Sequence, residues 1–284
     1  MTSLSASLVR GALSSPFKRA GRPDAALPPG RLTRPAAPVA PGPLAAYGRI
    51  CGFTEAGPLP LTYPHVLAFP LTLRLMTGRA FPLPVLGLVH TWIEITPHRA
   101  VQPTEPLELT AQAWGLTPHR RGTEVTMATE ARVAGELVWE SRSGYLSRHR
   151  HAAPAVDRAT ASPAPAPAAP AAEELPARAE WRLPGDLGRR YGAVSGDRNP
   201  IHLHPLAARL FGFPRAIAHG MWTAARCLAE AGNVADIRSV RAEFKAPVLL
   251  PATVTYAADT AGSAFALRGP EGRVHLVGAV DRRP

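Results

Sequence analysis

Apolar and polar residues alternate with a period of two where Val125, Met127 and Ala131 interleave with Thr126, Glu130 and Arg132, and again where Val240, Ala242 and Phe244 interleave with Arg241, Glu243 and Lys245. Successive side chains of a strand point to opposite faces, so each run predicts a strand in an antiparallel sheet with one wet face. Further strands are expected at 85–95, 107–114, 137–146, 253–257, 264–267 and 274–280, with Gly269-Pro270-Glu271-Gly272 turning the last hairpin. Helical spacing appears instead at Met221, Ala224, Ala225 and Leu228, which predicts a helix over 220–231 stopped by Gly232. A second apolar helix is expected from Val66 to Met76, ended by Gly78, with Pro70 tolerated only in or near its first turn. Shorter helices are expected at 44–50, around Tyr191 and at 205–211.

These elements occur twice. Tyr47-Gly48-Arg49-Ile50-Cys51-Gly52 matches Tyr191-Gly192-Ala193-Val194-Ser195-Gly196, and Pro64-His65-Val66-Leu67 matches Ala218-His219-Gly220-Met221 in position. Each pair leads into an apolar helical run and then strands, so the chain reads as an α+β protein made of two copies of one unit. The expected boundaries are a basic tail at 1–30, a first copy at 31–150, a connector at 151–174 and a second copy at 175–284. The connector is rich in Ala and Pro, with Pro163, Pro165, Pro167 and Pro170 favouring an extended chain.

The copies differ in one stretch. From Gly52 to His65 is 13 residues, whereas from Gly196 to His219 is 23. The extra length carries Ser195-Gly196-Asp197-Arg198-Asn199-Pro200-Ile201-His202. Pro200 cannot continue a helix from inside it and biases Asn199 away from helical geometry, so Asp197 and His202 are expected on a loop, converging on one small molecule. Gly220 would present a bare backbone N–H at the positive end of the following helix, where an oxygen gathering negative charge can bind. Alone, Asp197 after a glycine would be read as an Asx-turn residue. Asn199 is expected to order the loop through side-chain-to-backbone bonds, His219 to anchor it or touch substrate, and Ser195, which lacks a G-x-S-x-G setting, to close a helix. His65 is expected to be structural and Tyr191 to be a packing residue.

The run Y-G-A-V-S-G-D-R-N-P-I-H, followed by G-F-P-R-A-I-A-H-G-M, resembles the MaoC-like dehydratases and (R)-specific enoyl-thioester hydratases. The resemblance covers nearly the whole chain in the two-unit members of that family. It implies a double hot-dog fold, with antiparallel sheets each wrapping a central helix, and a pseudo-dimer within one chain. It implies Asp197 and His202 as the catalytic pair, Gly220 as the oxyanion contact, and a first copy that widens the acyl pocket. Only the second copy keeps the loop, and Val66 stands where the His-Gly pair has its glycine. His204 departs from the pattern, which more often has Asp there.

Net charge is +11, which calls for an anionic partner. No nucleic-acid motif accompanies the charge, so the expected partner is an acyl thioester of coenzyme A or acyl carrier protein. No apolar run approaches the roughly 20 residues of a membrane span. Cys51 and Cys227 fit no metal or redox spacing and read as buried apolar residues in a reducing, cytoplasmic compartment. Met1–Arg22 carries four basic residues and no acid, a composition shared by organelle transit peptides and basic tails; the tail reading is adopted. Arg148-His149-Arg150-His151 reads as a solvated strand end. No metal or organic cofactor is expected. The alternatives are a hot-dog thioesterase or a non-catalytic acyl-thioester-binding or scaffold protein, and a further homodimer stays open.

Overall fold

A computed structural model describes residues 18, 25–54, 57–149, 172–232 and 236–283. Residues 1–24 of the basic tail apart from Lys18, and 151–171 of the Ala/Pro connector, therefore lie outside the described residues, as does Arg150. The first copy runs β1 (Arg31–Ala37), α1 (Pro41–Cys51), α2 (Tyr63–Thr77), β2 (Val89–Pro97), β3 (Leu107–His119), β4 (Gly122–Val133) and β5 (Glu136–Arg148). The second runs β6 (Ala177–Leu183), α3 (Leu187–Ser195), two short helices α4 (Pro200–Leu203) and α5 (Pro205–Leu210), then α6 (Gly220–Ala231), β7 (Ile237–Phe244), β8 (Ala252–Ala258), β9 (Ala264–Arg268) and β10 (Val274–Arg282).

The strands form one antiparallel sheet in the order β1-β3-β4-β5-β2-β7-β10-β9-β8-β6. Numbered within each copy, this is 1-3-4-5-2 followed by 2-5-4-3-1, the mirror order of a pseudo-twofold. The architecture is a double hot-dog, and the two expected sheets are the halves of a single one. The seam is the β2–β7 pairing, where Ile93 faces Ala242 and Ile95 faces Val240. These four are buried, and covering an isoleucine side chain contributes roughly 1.5–3 kcal/mol. On the other face Arg241 bonds to Glu94 at 3.1 Å and lies 4.5 Å over the Trp92 ring. One face of the seam is therefore apolar and the other charged, as the alternation demands.

Three features depart from the sequence reading. The edge strands β1 and β6 were not expected: Arg31-Leu32-Thr33-Arg34-Pro35 and Ala177-Arg178-Ala179-Glu180 are polar enough to read as loop. Each has a partner on one side only, β3 and β8 respectively, so little of it needs to be apolar. The second departure is α2, which begins at Tyr63, so that Pro70 sits in the interior of a 15-residue helix rather than its first turn. The Val66 carbonyl thereby loses its helical donor, a cost of about 3 kcal/mol in an exposed helix. Burial of Ala68, Leu71, Leu73 and Met76 overrides that preference. The third is β2, which starts at Val89, the preceding residues being irregular around Gly87 (φ +84°).

The copies meet through their helices as well. Tyr47 and Tyr191, both almost fully buried, stand 6.2 Å apart, and the Trp222 indole N–H donates to the Ile50 carbonyl at 2.9 Å. Lys18 donates to the Met76 and Gly78 carbonyls at 3.3 and 2.8 Å, closing the C-terminal end of α2.

Candidate active site

Helix α3 ends at Gly196, whose φ of +78° is the left-handed cap that glycine adopts without strain. The chain then folds back over α3 in a series of side-chain-to-backbone bonds. Ser195 Oγ accepts from the Asp197 N–H at 3.2 Å, and Asp197 Oδ1 accepts from the Asn199 N–H at 3.1 Å. Asn199 caps α4 by accepting from the Ile201 N–H, and Pro200 fills the first helical position, where a missing N–H costs nothing. His202 is thus on a short helix that Pro200 begins, and only Asp197 is on a loop; proline opens this helix rather than forbidding it. His204 caps α5 by accepting from the Leu206 N–H at 3.2 Å, the role an aspartate would fill at that position.

The loop can lie this close because α3 presents no side chain beneath it. A Cβ on Gly188 would meet the His202 carbonyl at 2.0 Å, and one on Gly192 the Asp197 carbonyl at 2.8 Å. Gly188 escaped the sequence reading. The contrast with Leu44, its counterpart three residues before the repeated tyrosine, is the signal that could have revealed it.

From the far side, residues 216–218 are clamped to 248–250 by the Ala218 N–H to Val248 carbonyl and Leu250 N–H to Ala216 carbonyl bonds, at 2.9 and 2.8 Å. Ile217 then engages the loop twice: its N–H donates to the Ile201 carbonyl at 3.1 Å and its carbonyl accepts from His202 Nδ1 at 2.8 Å. A carbonyl can only accept, so Nδ1 carries the proton and Nε2 of the neutral ring is left as a base. His219 likewise donates through Nε2 to the Asp197 main-chain carbonyl at 2.9 Å, which makes it an anchor of the loop. The two imidazoles stack at 3.7 Å. Burial pushes the pKa of His202 down against the attraction of Asp197 and the Ile217 bond. Burial, reinforced by His202, pushes His219 further down. Both rings are held neutral.

Ligand atoms of Asp197, His202 and His219 all lie within 4.8 Å of one another. These are the residues among those described that could hold a metal ion. The same arrangement suits a water placed between a carboxylate and an imidazole. Asp197 keeps 29% of its side chain accessible, while His219 is 2% exposed. Gly220 opens α6, and a Cβ there would come within 3.1 Å of the Phe244 ring, so the helix N-terminus packs closely against that ring.

All of this faces a cavity of about 850 Å³. The second copy contributes Asp197, His202, His219, Gly220 and Phe244 to its wall, and the first contributes Phe69, Leu73, Met76 and Leu88 from α2 and the segment before β2. Four exposed cations, Arg120, Arg121, Arg148 and Lys245, also line it. His65, the repeat counterpart of His219, and His90 of the first copy belong to the same wall. Of the residues singled out in the sequence, Asp197, His202, His219, Gly220, Asn199 and Ser195 all come together here, Ser195 and Asn199 as ordering residues of the loop.

Known proteins resemble the chain in the same region and beyond it. A family model described as a MaoC-like domain matches residues 169–269. The chain is similar to 3-hydroxyacyl-thioester dehydratase X of Mycobacterium tuberculosis, 37% identical over 228 residues that cover 80% of this chain and 79% of that protein. A crystal structure of HtdX from M. tuberculosis covers 89% of this chain and 100% of its own at a TM-score of 0.74 and 33% identity. Another M. tuberculosis protein, described as a double hot-dog, aligns with a TM-score of 0.54 over 88% of this chain and 94% of its own. At 15% identity it shares the fold alone.

Proposed function

The chain belongs to the family of MaoC-like hot-dog dehydratases, and from that premise we propose that it is a hydro-lyase of fatty-acid metabolism, a (3R)-hydroxyacyl-thioester dehydratase and trans-2-enoyl-thioester hydratase. The observation that carries the reading is the His202 ring, fixed by Nδ1 on the Ile217 carbonyl with its Nε2 free as a base beside the Asp197 carboxylate.

In the hydration direction, a water held between Asp197 and His202 gives up a proton to one of them as its oxygen attacks C3. The electron pair of the 2,3-bond moves through C2 toward the thioester oxygen, which becomes enolate-like. The Gly220 N–H at the start of α6 receives that oxygen, and a proton returned to C2 completes the addition. Dehydration reverses the steps. A positioned acid–base group is worth about 100- to 10,000-fold in rate, and an oxyanion donor about 100- to 1,000-fold. His219, Ser195 and Asn199 position the loop. The chemistry needs neither a metal nor an organic cofactor.

Residues 175–284 form the catalytic unit, because every member of this constellation comes from it. Residues 31–150 form the non-catalytic unit that supplies the opposite cavity wall, joined through 151–174, with 1–30 as a tail. The cavity's cations suit the phosphates of coenzyme A or the acidic surface of an acyl carrier protein. The unpaired, buried Cys51 and Cys227 suit a reducing, cytoplasmic setting.

The test follows the ultraviolet absorbance of the enoyl-thioester conjugation on mixing with a medium-chain trans-2-enoyl-CoA, beside a free-thiol assay and the His202→Ala protein. Conjugation is expected to disappear without thiol release, and the variant to lose at least about 100-fold in rate. Thiol release would make the protein a thioesterase, and no change on either carrier would make it a binding protein.

A further inference from the structure

The first copy has lost the catalytic loop, yet it keeps polar side chains in the cavity wall. His65 of α2 and His90 of β2 lie with ring centroids 6.0 Å apart and planes within 13°. His90 stacks on Tyr145 at 4.5 Å and meets Phe244 at 4.8 Å, and Phe244 is the ring that borders Gly220. His65 is 6% exposed and feels the charge of Asp197, so the pair stands beside the reacting centre.

One nitrogen of each ring stays unsatisfied: among the described residues, His65 Nδ1 and His90 Nε2 are buried without a hydrogen-bond partner. His90 bonds to the Trp92 backbone in the sense that favours its protonated form, which means that Nδ1 donates and Nε2 is a bare lone pair. Burial holds both rings neutral, with pKa values lowered to about 4 for His65 and about 3 for His90. Protonation therefore does not relieve the vacancy near neutral pH. Buried polar groups are nearly always paired, and three unpaired nitrogens among the described residues of one cavity wall, these two and His219 Nδ1, point to a group that arrives with the substrate. Around them the wall offers Phe69, Leu73 and Met76, which ask only for hydrocarbon.

We propose, resting on the thioester reading above, that His65 and His90 form a polar subsite that receives a neutral N–H or O–H of the substrate as donor to His90 Nε2. Such a donor has two sources in an acyl thioester: an oxygenated acyl chain, with a hydroxyl beyond the reacting carbons, or the amides of the pantetheine arm. A subsite of this kind makes the cavity selective, because a substrate without the donor leaves the buried acceptor unpaired.

The experiment compares kcat/KM for the wild-type protein, His90→Phe and His90→Gln on three trans-2-enoyl thioesters: an unbranched medium-chain CoA ester, the same chain hydroxylated near its far end, and the unbranched chain as an S-ethyl ester without amides. If the acyl chain is the source, His90→Phe loses about 10- to 100-fold on the hydroxylated chain and little on the other two. If the pantetheine arm is the source, it loses that factor on both CoA esters and not on the S-ethyl ester. Under either, His90→Gln, which retains an acceptor, recovers much of the loss. Equal values on all three esters, or an equal loss on all three, overturns the subsite, and using ratios between substrates removes any effect of poorly folded variant. If the wild-type protein hydrates none of the esters, the reaction reading fails. Calorimetric binding of the corresponding saturated esters then decides the subsite by the same ratios.

Discussion

Leu44 and Gly188 occupy the same place in the two copies, each three residues before the repeated tyrosine, and the chain that passes beside them explains the exchange. In the first copy the stretch between Gly52 and His65 is ten residues shorter than its counterpart, and Leu44 packs against the core. In the second, the His202 carbonyl would lie 2.0 Å from any Cβ at 188, so only glycine fits. What the copies share is what the hot-dog unit needs: buried Tyr47 and Tyr191, and left-handed Gly52 and Gly196 closing their helices at φ +83° and +78°. What they do not share is the loop that carries Asp197 and His202.

Three measurements bear on that division. The largest effect is expected from Asp197→Asn, which keeps the Asn199 turn but removes the charge that holds the water; turnover should fall about 100- to 10,000-fold with the melting temperature nearly unchanged. Near-normal turnover would mean that the second copy's extra loop is not there for chemistry.

A smaller effect, and a sharper comparison, comes from alanine at Gly192 and at its counterpart Gly48. At 192 the new methyl meets the Asp197 carbonyl at 2.8 Å, while at 48 the nearest atom is the Phe53 carbonyl at an ordinary 3.6 Å. Gly192→Ala should displace the loop, lowering kcat/KM about 10-fold or more and costing about 1–3 kcal/mol, whereas Gly48→Ala should be neutral or add up to about 1 kcal/mol through helix propensity. Activity and denaturant midpoints of the two variants check this, and equal effects would break the contrast.

The smallest effect concerns stability against pH. Burial lowers the pKa of His65, His90, His202 and His219 below the ordinary 6.5, so both copies carry neutral buried rings. The unfolded chain takes up protons on these groups at higher pH than the folded one. Stability is therefore full above about pH 6.5 and is lost as pH falls, with the first copy's share continuing to fall to about pH 4 for His65 and pH 3 for His90. Melting temperatures between pH 7 and pH 5 should decline, and His90→Phe should flatten the decline; a slope identical to the wild type would show that His90 is not held neutral by the fold.

Much of this was legible in the chain. The repeat gave the two units, the period-two runs gave the inner strands, and the Asp-x-Asn-Pro-x-His spacing gave residues that the structure brings to one cavity wall. The misses have physical causes. Strands β1 and β6 carry weak patterns because each is at a sheet edge. Pro70 contradicts local propensity because packing of α2 outweighs one lost hydrogen bond. Pro200 opens a helix rather than ending one because its position within a helix, which decides whether its missing N–H matters, is set by where Asn199 caps.

The sequence by itself determined which copy carries the loop with Asp197 and His202, since the counterpart stretch of the first copy is ten residues shorter, and it determined most of the helix and strand order through hydrophobic period. Only the tertiary structure decided that β2 and β7 join the halves into one sheet, that Ile217 fixes the proton on His202 Nδ1, and that His65 and His90 of the non-catalytic copy face the same cavity. Those facts depend on backbone groups and side chains brought together from distant positions, as Arg241 and Glu94 are across 147 residues. Local patterning specifies elements, but a proton's position and a cavity's wall are set by whichever distant atoms close the remaining hydrogen bonds and fill the remaining space.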